Sequence, residues 1–511
     1  MLPRARRDLR QNCLLRSVQG LLQRFPSQRS GPRDGTAEPS SEQRTSVPRQ
    51  TPSIYIETFG CQMNEADSQY VAERARRAGY EVASAPEEAN VIVLNTCTVR
   101  DSAERRAYGR MNHFNLLKRR DPQTRVVVMG CLAEQDRDRM QKLAPHVDAV
   151  FGTRELVQLG DQLAAWKPEF PVAPLNGVTT DPTGDSMLRF AIGGTADGVT
   201  DAFSHLRAYV TVQRGCSYYC TFCIVPHVRG RFDHRPQQAI LDETRQRVGQ
   251  GARELVLVGQ TVNAWRDETS GTDFGDLCRA VSQLSGLERL TFISPHPKDF
   301  SEKILDDLAG ITQLNPRIHL PLQSGSDALL RRMNRKYTLA QFNEKVEMIR
   351  QRIAHCAITT DLIVGFPGET ENDFEATLEY VRGGVFANAF TFIYSMRRGT
   401  PAARWEQVPR EVALARFERL IEIQNGVTRA YHERKAGNVV RALIAGDSKK
   451  DASKLSAKTG ENVTVVAPKP DDYSEAAYAR TPWLDIAVNS GYVWGCQGRL
   501  VGRAARFVET R

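Results

Sequence analysis

Cys216-Ser217-Tyr218-Tyr219-Cys220-Thr221-Phe222-Cys223 decides how this chain is read. Three cysteines fall within eight residues, and the strand-like run Ala208-Tyr209-Val210-Thr211-Val212-Gln213 leads straight into them. Thiolates this close in sequence can face one inorganic centre, and soft sulfur ligands favour iron–sulfur clusters or zinc. A structural zinc site wants four ligands, usually as two separated pairs, and no second pair follows here. Three thiolates on a four-iron cluster would leave one iron without a protein ligand, open to a substrate or cofactor. The spacing fits iron–sulfur better than zinc, and the residues alone leave both standing.

Upstream, residues 53–168 repeat one pattern. Ile54-Tyr55-Ile56-Glu57-Thr58-Phe59-Gly60-Cys61 reads as a strand ending in a cysteine, followed by a helical stretch. Asn90-Val91-Ile92-Val93-Leu94-Asn95-Thr96-Cys97 and Arg125-Val126-Val127-Val128-Met129-Gly130-Cys131 repeat it at spacings of 36 and 34 residues. That is the length of a strand–helix crossover unit, so a parallel sheet covered on both faces is expected. Strand ends of one polarity share an edge in such a sheet, so Cys61, Cys97 and Cys131 should converge and hold a second cluster. The alternative is three core thiols.

Downstream, residues 205–435 alternate strands and helices. Candidate strands at 208–213, 254–258, 289–293, 317–321, 358–364 and 389–394 make a partial (β/α)6 barrel, whose active-site residues belong on the loops after the strands. Residues 437–507 carry short strands at Val439–Ile444, Val463–Val466, Leu484–Val488 and Leu500–Gly502 between turn residues, as in a small β-barrel. Lys449, Lys450, Lys454 and Lys458 form a basic cluster there, either a solvated loop or an RNA-backbone contact. The fold class is thus α/β: a parallel N-terminal domain, a central partial barrel and a small C-terminal β-barrel.

Residues 1–52 form a basic tail with ten arginines, no lysine and four acids, which holds six of the nine surplus positive charges of the 511-residue chain. Leu14, Val18, Leu21, Leu22 and Phe25 recur at helical spacing, so the tail is either a mitochondrial targeting segment or disordered. Residues 169–204 read as a linker. No run approaches the roughly 18 apolar residues of a membrane span, so no membrane partner is expected. Cys13, Cys278, Cys356 and Cys496 look incidental, Cys278 and Cys356 as small core residues.

The C-x3-C-x2-C spacing resembles the signature of radical S-adenosylmethionine (SAM) enzymes, whose open iron binds the amino acid end of SAM. Nearly everything after residue 53 resembles the tRNA methylthiotransferases of the MiaB-like type. The resemblance is carried by Glu57-Thr58-Phe59-Gly60-Cys61-Gln62-Met63-Asn64, by Asn95-Thr96-Cys97-Thr98-Val99-Arg100 and by Gly130-Cys131. It continues through Gly215 to Cys223 with Arg229-Gly230-Arg231, through Thr360-Asp361-Leu362-Ile363-Val364-Gly365-Phe366-Pro367-Gly368-Glu369-Thr370, and through Tyr394-Ser395 with Gly399-Thr400-Pro401-Ala402. Its C-terminal domain is a TRAM domain that binds RNA; where the family shows Gly-Arg, this chain has Ala457-Lys458.

The resemblance implies conversion of N6-isopentenyladenosine at tRNA position 37, next to the anticodon, into its 2-methylthio derivative. Two nearby subfamilies act on a threonylcarbamoyl-adenosine or on an aspartate of a ribosomal protein, but Ser294-Pro295-His296-Pro297-Lys298-Asp299-Phe300 is closer to the first. It implies two 4Fe-4S clusters. One, on Cys216, Cys220 and Cys223, cleaves SAM to a 5′-deoxyadenosyl radical; the other, on Cys61, Cys97 and Cys131, carries sulfur that a second SAM methylates. Position and resemblance together make Gly259, Gln260, Gln323, Asp361 and Gly365 the expected SAM contacts, with Phe222 beside the adenine. Aromatic C–H chemistry of this kind is the cofactor's, so no side-chain acid or base is assigned. An electron donor such as flavodoxin or ferredoxin, a monomeric state and a cytoplasmic setting (mitochondrial if the tail is a targeting segment) complete the expectation. A rival of another class is a non-catalytic iron–sulfur RNA-binding protein.

Overall fold

The computed structural model describes residues 52–98, 101–166 and 203–506. The basic tail up to residue 51 with Cys13, the motif residues Val99 and Arg100, and most of the linker lie outside the described residues.

Five parallel strands make the N-terminal sheet: β1 (Ser53–Thr58), β2 (Glu81–Val82), β3 (Val91–Thr96), β4 (Arg125–Gly130) and β5 (Ala149–Phe151), in spatial order β2-β1-β3-β4-β5. The alternation of side chains sends Ile92, Leu94, Val126 and Val128 to one face, where they meet Ala107, Met111 and Phe114 of the helix Asp101–Arg120. Val91, Val93, Val127 and Met129 go to the other, against Tyr70 and Val71 of the helix Gln62–Arg77 and Leu159 and Leu163 of the helix Leu156–Ala165. Both faces are dry, so each buried Val, Leu or Ile contributes roughly 1.5–3 kcal/mol.

The central unit contains β6 (Arg207–Thr211), β9 (Glu254–Val258), β10 (Arg289–Phe292), β11 (Arg317–His319), β12 (Ala357–Val364) and β13 (Asn388–Ile393). β7 (Gln213–Arg214) and β8 (Asp233–His234) form a short antiparallel ladder beside it. β6, β9 and β10 pair in parallel, as do β11, β12 and β13, and a bridge between Leu290 and Leu314 joins the two sets. All six anticipated strands are present, standing in chain order around a partial barrel. Val210, Leu255, Leu257, Ile318, Leu362 and Val364 point outward into the helical layer. Cys278 is buried in that core, as expected of a small apolar residue.

The first residues of four barrel strands make a charged floor. Glu254 accepts hydrogen bonds from Thr291 Oγ1 at 2.8 Å and Asn315 Nδ2 at 3.2 Å, and Arg207 and Arg289 approach it at 3.4 and 3.8 Å. Below it sits a closed C-terminal barrel of β14 (Val439–Ser448), β15 (Asp451–Thr459), β16 (Thr464–Pro468), β17 (Trp483–Tyr492) and β18 (Gly495–Ala504), in order β14-β15-β16-β18-β17. Arg289 donates to the Lys458 carbonyl at 3.1 Å and lies 4.5 Å from the Trp483 ring centroid, so this junction is a packed one.

The lysine cluster needs correcting. Lys449 and Lys450 do lie in a turn, between β14 and β15, but Lys454 and Lys458 stand on β15, whose inward residues are Leu455, Ala457 and Thr459. Lys458 faces out of the small barrel, yet what lies outside is the floor of the large one. Its ammonium bonds Thr464, and burial followed by Arg207 and Arg317 pulls its pKa down to about 8. Its ammonium is therefore engaged at the junction of the two barrels rather than standing free at the surface. Lys454 is held by Asp451 at 2.9 Å, and Lys449 and Lys450 remain at the surface. Among the described residues no helix is long and apolar enough to cross a membrane.

A lysine whose folded-state pKa lies below the unfolded value near 10.4 costs stability at low pH, and the cost fades as pH rises between the two. Lys458→Met should therefore stabilise the protein by about 1–2 kcal/mol at pH 7, the gain shrinking as pH climbs through 8 towards 10. Paired thermal melts of parent and variant across that range measure it.

Candidate functional site

The first sulfur triad stands on the carboxyl edge of the N-terminal sheet. β1, β3 and β4 are neighbours in register, with Thr58 opposite Asn95 and Thr96 opposite Gly130, so the cysteines that follow them leave the sheet side by side. Cys61 starts the helix Gln62–Arg77, Cys97 is buried beside β3, and Cys131 begins the helix Cys131–Gln135. Asn64 Nδ2 reaches Asn95 Oδ1 at 3.0 Å and the Thr96 carbonyl at 2.8 Å, while Asn95 Nδ2 returns to the Asn64 carbonyl at 2.7 Å. Thr96 Oγ1 donates to the Met129 carbonyl at 2.6 Å. These bonds lock the three strand ends together. Gly130 has φ +101°, and a Cβ there would lie 2.5 Å from both Asn95 Oδ1 and the Thr96 carbonyl.

The second triad sits on the loop beyond β7. Gly215, at φ +70°, lets the chain pass so close to the next loop that a Cβ would lie 1.9 Å from the Arg231 carbonyl. Cys216 N donates to the Gly230 carbonyl at 3.0 Å, Thr221 N to Met333 O at 3.0 Å, and Asn334 Nδ2 to Tyr219 O at 2.9 Å. The loop is thus tied on two sides. Arg335, buried and itself bonded to Tyr337 and Pro321, donates Nη1 to Cys220 Sγ at 3.3 Å. Cys216 Sγ lies 3.4 Å from Thr261 Oγ1.

Electrostatics test whether either triad can hold a metal. Burial pushes Cys131 up to about 12; Arg229 works against this, while Cys61 and Cys97 add to it. Burial, then Cys220, pushes Cys223 up to about 12 as well, and burial raises Cys216. Thiols that raise one another's pKa in a dry wall stay protonated alone and ionise when a cationic centre binds them. Two sets of three such thiols fit two sulfur-ligated metal groups. The acidic trio Asp273, Asp276 and Asp307 is instead neutralised by Lys303.

Of the expected SAM contacts, Gly259, Gln260, Gln323 and Gly365 follow barrel strands, whereas Asp361 lies within β12 and Phe222 on the cysteine loop. The backbone N–H groups of Gln260 and Thr261 donate to Gln213 Oε1 at 3.1 and 3.0 Å, and a Cβ on Gly259 would sit 2.9 Å from that same oxygen. Gln260 Oε1 is buried without a partner, an acceptor left for a ligand. Gln323 is buried at φ +76° and donates its N–H to the Asp361 carbonyl at 2.8 Å. Asp361 Oδ2 lies 3.2 Å from His319 Nε2 inside the barrel. Phe222 packs edge-on against Phe366 at 6.4 Å. Gly365 differs from the others: a Cβ there would lie 2.5 Å from Ala413 Cβ, so its missing side chain makes room for the helix Arg410–Glu433.

Sequence reasoning missed the groups that connect the two halves. Arg229, on the barrel side, donates Nε to Cys131 Sγ at 3.2 Å and Nη2 to Asn64 at 3.1 Å and Asp67 at 2.9 Å. Ile224 and Val228, just after Cys223, pack on Cys131. Met63 and Ala66 of the N-terminal helix pack against Val256 and Val258 inside the barrel. The triads therefore share one wall. Beside it opens a cleft of about 570 Å³ lined by Arg154, Arg214, Tyr219, Arg229 and Arg231. Tyr218 donates to Asp299 and stacks 4.4 Å from His296, which burial, then Arg335 and Lys298, keeps neutral by pulling it down to about 2. The Arg229-Gly230-Arg231 and Ser294–Phe300 motifs held these residues, but spacing alone gives no partner.

Residues 53–152 match the family described as Uncharacterized protein family UPF0004, and residues 210–381 match the Radical SAM superfamily. A tRNA-2-methylthio-N(6)-dimethylallyladenosine synthase of Syntrophotalea carbinolica is 38% identical over 412 residues, 80% of this chain and 92% of its own. Its counterpart in Mycolicibacterium gilvum is 40% identical over 430 residues, 82% of this chain and 81% of its own. The chain belongs to the tRNA-2-methylthio-N(6)-dimethylallyladenosine synthase family. It is an enzyme of the radical SAM superfamily, with each sulfur triad inside one of the two matched segments. The radical SAM methyltransferase TsrM of Kitasatospora setae shares the fold at a TM-score of 0.50 and 16% identity, over 69% of this chain and 77% of that one.

In this synthase-family chain the locked strand ends give a direct test. Gly130→Ala should cost about 2–4 kcal/mol in denaturant unfolding. Gly109→Ala, on an open helix surface where a Cβ meets nothing within 4 Å, should instead gain about 0.4–1 kcal/mol.

Proposed function

We propose that the enzyme is a methylthiotransferase that converts N6-isopentenyladenosine at position 37 of tRNA, beside the anticodon, into its 2-methylthio derivative. The observation that carries this is the pair of three-thiol sites on opposite sides of one wall, bridged by Arg229 and Ile224. When loaded with 4Fe-4S clusters, the Cys216, Cys220 and Cys223 site supplies reductive cleavage of SAM, and the Cys61, Cys97 and Cys131 site supplies sulfur. The protein's own part is placement and exclusion of water.

Arg335 fixes Cys220 while Asn334 and Met333 hold the loop around it, so the three thiols that would hold the SAM-cleaving cluster sit on an anchored loop beside the barrel interior. There Gln260, Gln323 and Asp361 present polar groups to SAM, with Phe222 providing the apolar wall. The backbone donors of Gln260 and Thr261 are already spent on Gln213, which fixes the loop before SAM arrives. Arg154 and Arg231, which both line the cleft, attract the phosphates of a folded RNA loop, and Tyr219 offers a partly exposed ring there. Lys449 and Lys450 on the C-terminal barrel add a second basic contact. An electron donor of the flavodoxin or ferredoxin type, a monomer and a cytoplasmic setting fit the same reading.

The two triads separate genetically. Cys220→Ala should abolish formation of 5′-deoxyadenosine from SAM under reducing conditions. Cys97→Ala should keep that reaction and lose the methylthio nucleoside in digests of hypomodified tRNA. Full methylthiolation by Cys97→Ala contradicts the assignment.

A further inference from the structure

Arg229 is a peculiar residue to find on the barrel. It is fully buried, it follows the short helix Val225–Val228 that begins just after Cys223, and its N–H caps that helix on the Val225 carbonyl at 2.8 Å. Its side chain leaves the barrel altogether and ends among the residues of the N-terminal sheet.

A buried guanidinium that serves only as a structural ion pair commonly engages its carboxylate through two parallel hydrogen bonds. That is not the arrangement here. Asp67 takes one contact from Arg229, on Oδ2 at 2.9 Å, and another from Arg214, on Oδ1 at 2.9 Å. Two guanidiniums thus share one carboxylate, which leaves Arg229 Nε for sulfur. A buried guanidinium turned towards sulfur is better accommodated beside an anion. Three thiolates on a four-iron centre, with their net negative charge, are such an anion.

We propose that Arg229 is a positioning residue for the sulfur-donating site. Anchored on Asp67 and Asn64, it hydrogen-bonds the Cys131 ligand sulfur, spaces the two triads and raises the reduction potential of the group held by Cys61, Cys97 and Cys131. This inference rests on the two-cluster reading of the enzyme given above. Hydrogen bonds to ligand sulfur and nearby positive charge favour the reduced, more negative form of an iron–sulfur centre, so the sign is fixed. Arg335 makes the equivalent contact with Cys220 on the other triad and serves as an internal control.

The test is an anaerobic redox titration of the reconstituted full-length enzyme followed by electron paramagnetic resonance, with and without SAM. The signal altered by SAM belongs to the Cys216 site and the unaltered one to the Cys131 site. In Arg229→Gln the SAM-insensitive signal should move to more negative potential, with Arg229→Lys between it and the parent, while the SAM-sensitive signal stays in place and shows that the chain has folded. Arg335→Lys should do the reverse. Methylthiolation should fall about ten- to a hundred-fold in Arg229→Gln while 5′-deoxyadenosine formation persists. Parent-like potentials in both Arg229 variants overturn the inference alone. A parent enzyme with no SAM-insensitive signal overturns the two-cluster reading, and the inference with it.

Discussion

A thiol in a dry wall stays protonated unless positive charge meets it, and both ends of this site are arranged around that constraint. Cys131 and Cys223 are each pushed up to about 12, burial being the main cause and neighbouring thiols adding to it. Left to themselves they are poor ligands. Each triad has a buried arginine on one of its sulfurs, Arg229 on Cys131 and Arg335 on Cys220, and each arginine is pinned by partners of its own. A metal centre would supply the rest of the charge. The scaffold around them follows. Parallel strands place sulfurs on a common edge, tight glycine turns bring the loops close, and the two domains pack so that the sulfur edges share a wall.

Much of this was legible in the chain. Strand-end cysteines at spacings of 36 and 34 residues describe a crossover repeat, and the sheet delivers Cys61, Cys97 and Cys131 to one edge because β1, β3 and β4 are neighbours. Six apolar runs became six barrel strands because a strand buried on both faces leaves a continuous signal. What stayed hidden depends on packing between units. Arg229 and Asp67 are far apart in the chain, and nothing in either segment names the other. Lys458 shows the same limit from the opposite side. On β15 it lies between the inward Ala457 and Thr459 and so faces out of the small barrel, and the sequence does not say that the floor of the large barrel waits there. β15 itself was missed because Ser453, Ser456 and Ala457 dilute its apolar pattern.

The division of labour between the domains follows from where the charges lie. The barrel floor is closed by Glu254, Arg207 and Arg289 and sealed by the C-terminal barrel, so access comes from the strand carboxyl ends. There the N-terminal helix enters with Met63 and Ala66, and the arginine-lined cleft opens beside it. On the proposed function, this is the face on which a polyanionic substrate would meet Arg154 and Arg231. Family membership and the geometry of this wall agree, although the shared fold with TsrM at 16% identity says nothing about the reaction.

The central claim is that one chain carries two separate sulfur-ligated iron sites. Iron and acid-labile sulfide counted per chain, on protein purified and reconstituted without oxygen, tests it most directly. Two four-iron centres require about eight of each. About four irons, or zinc in their place, would contradict it.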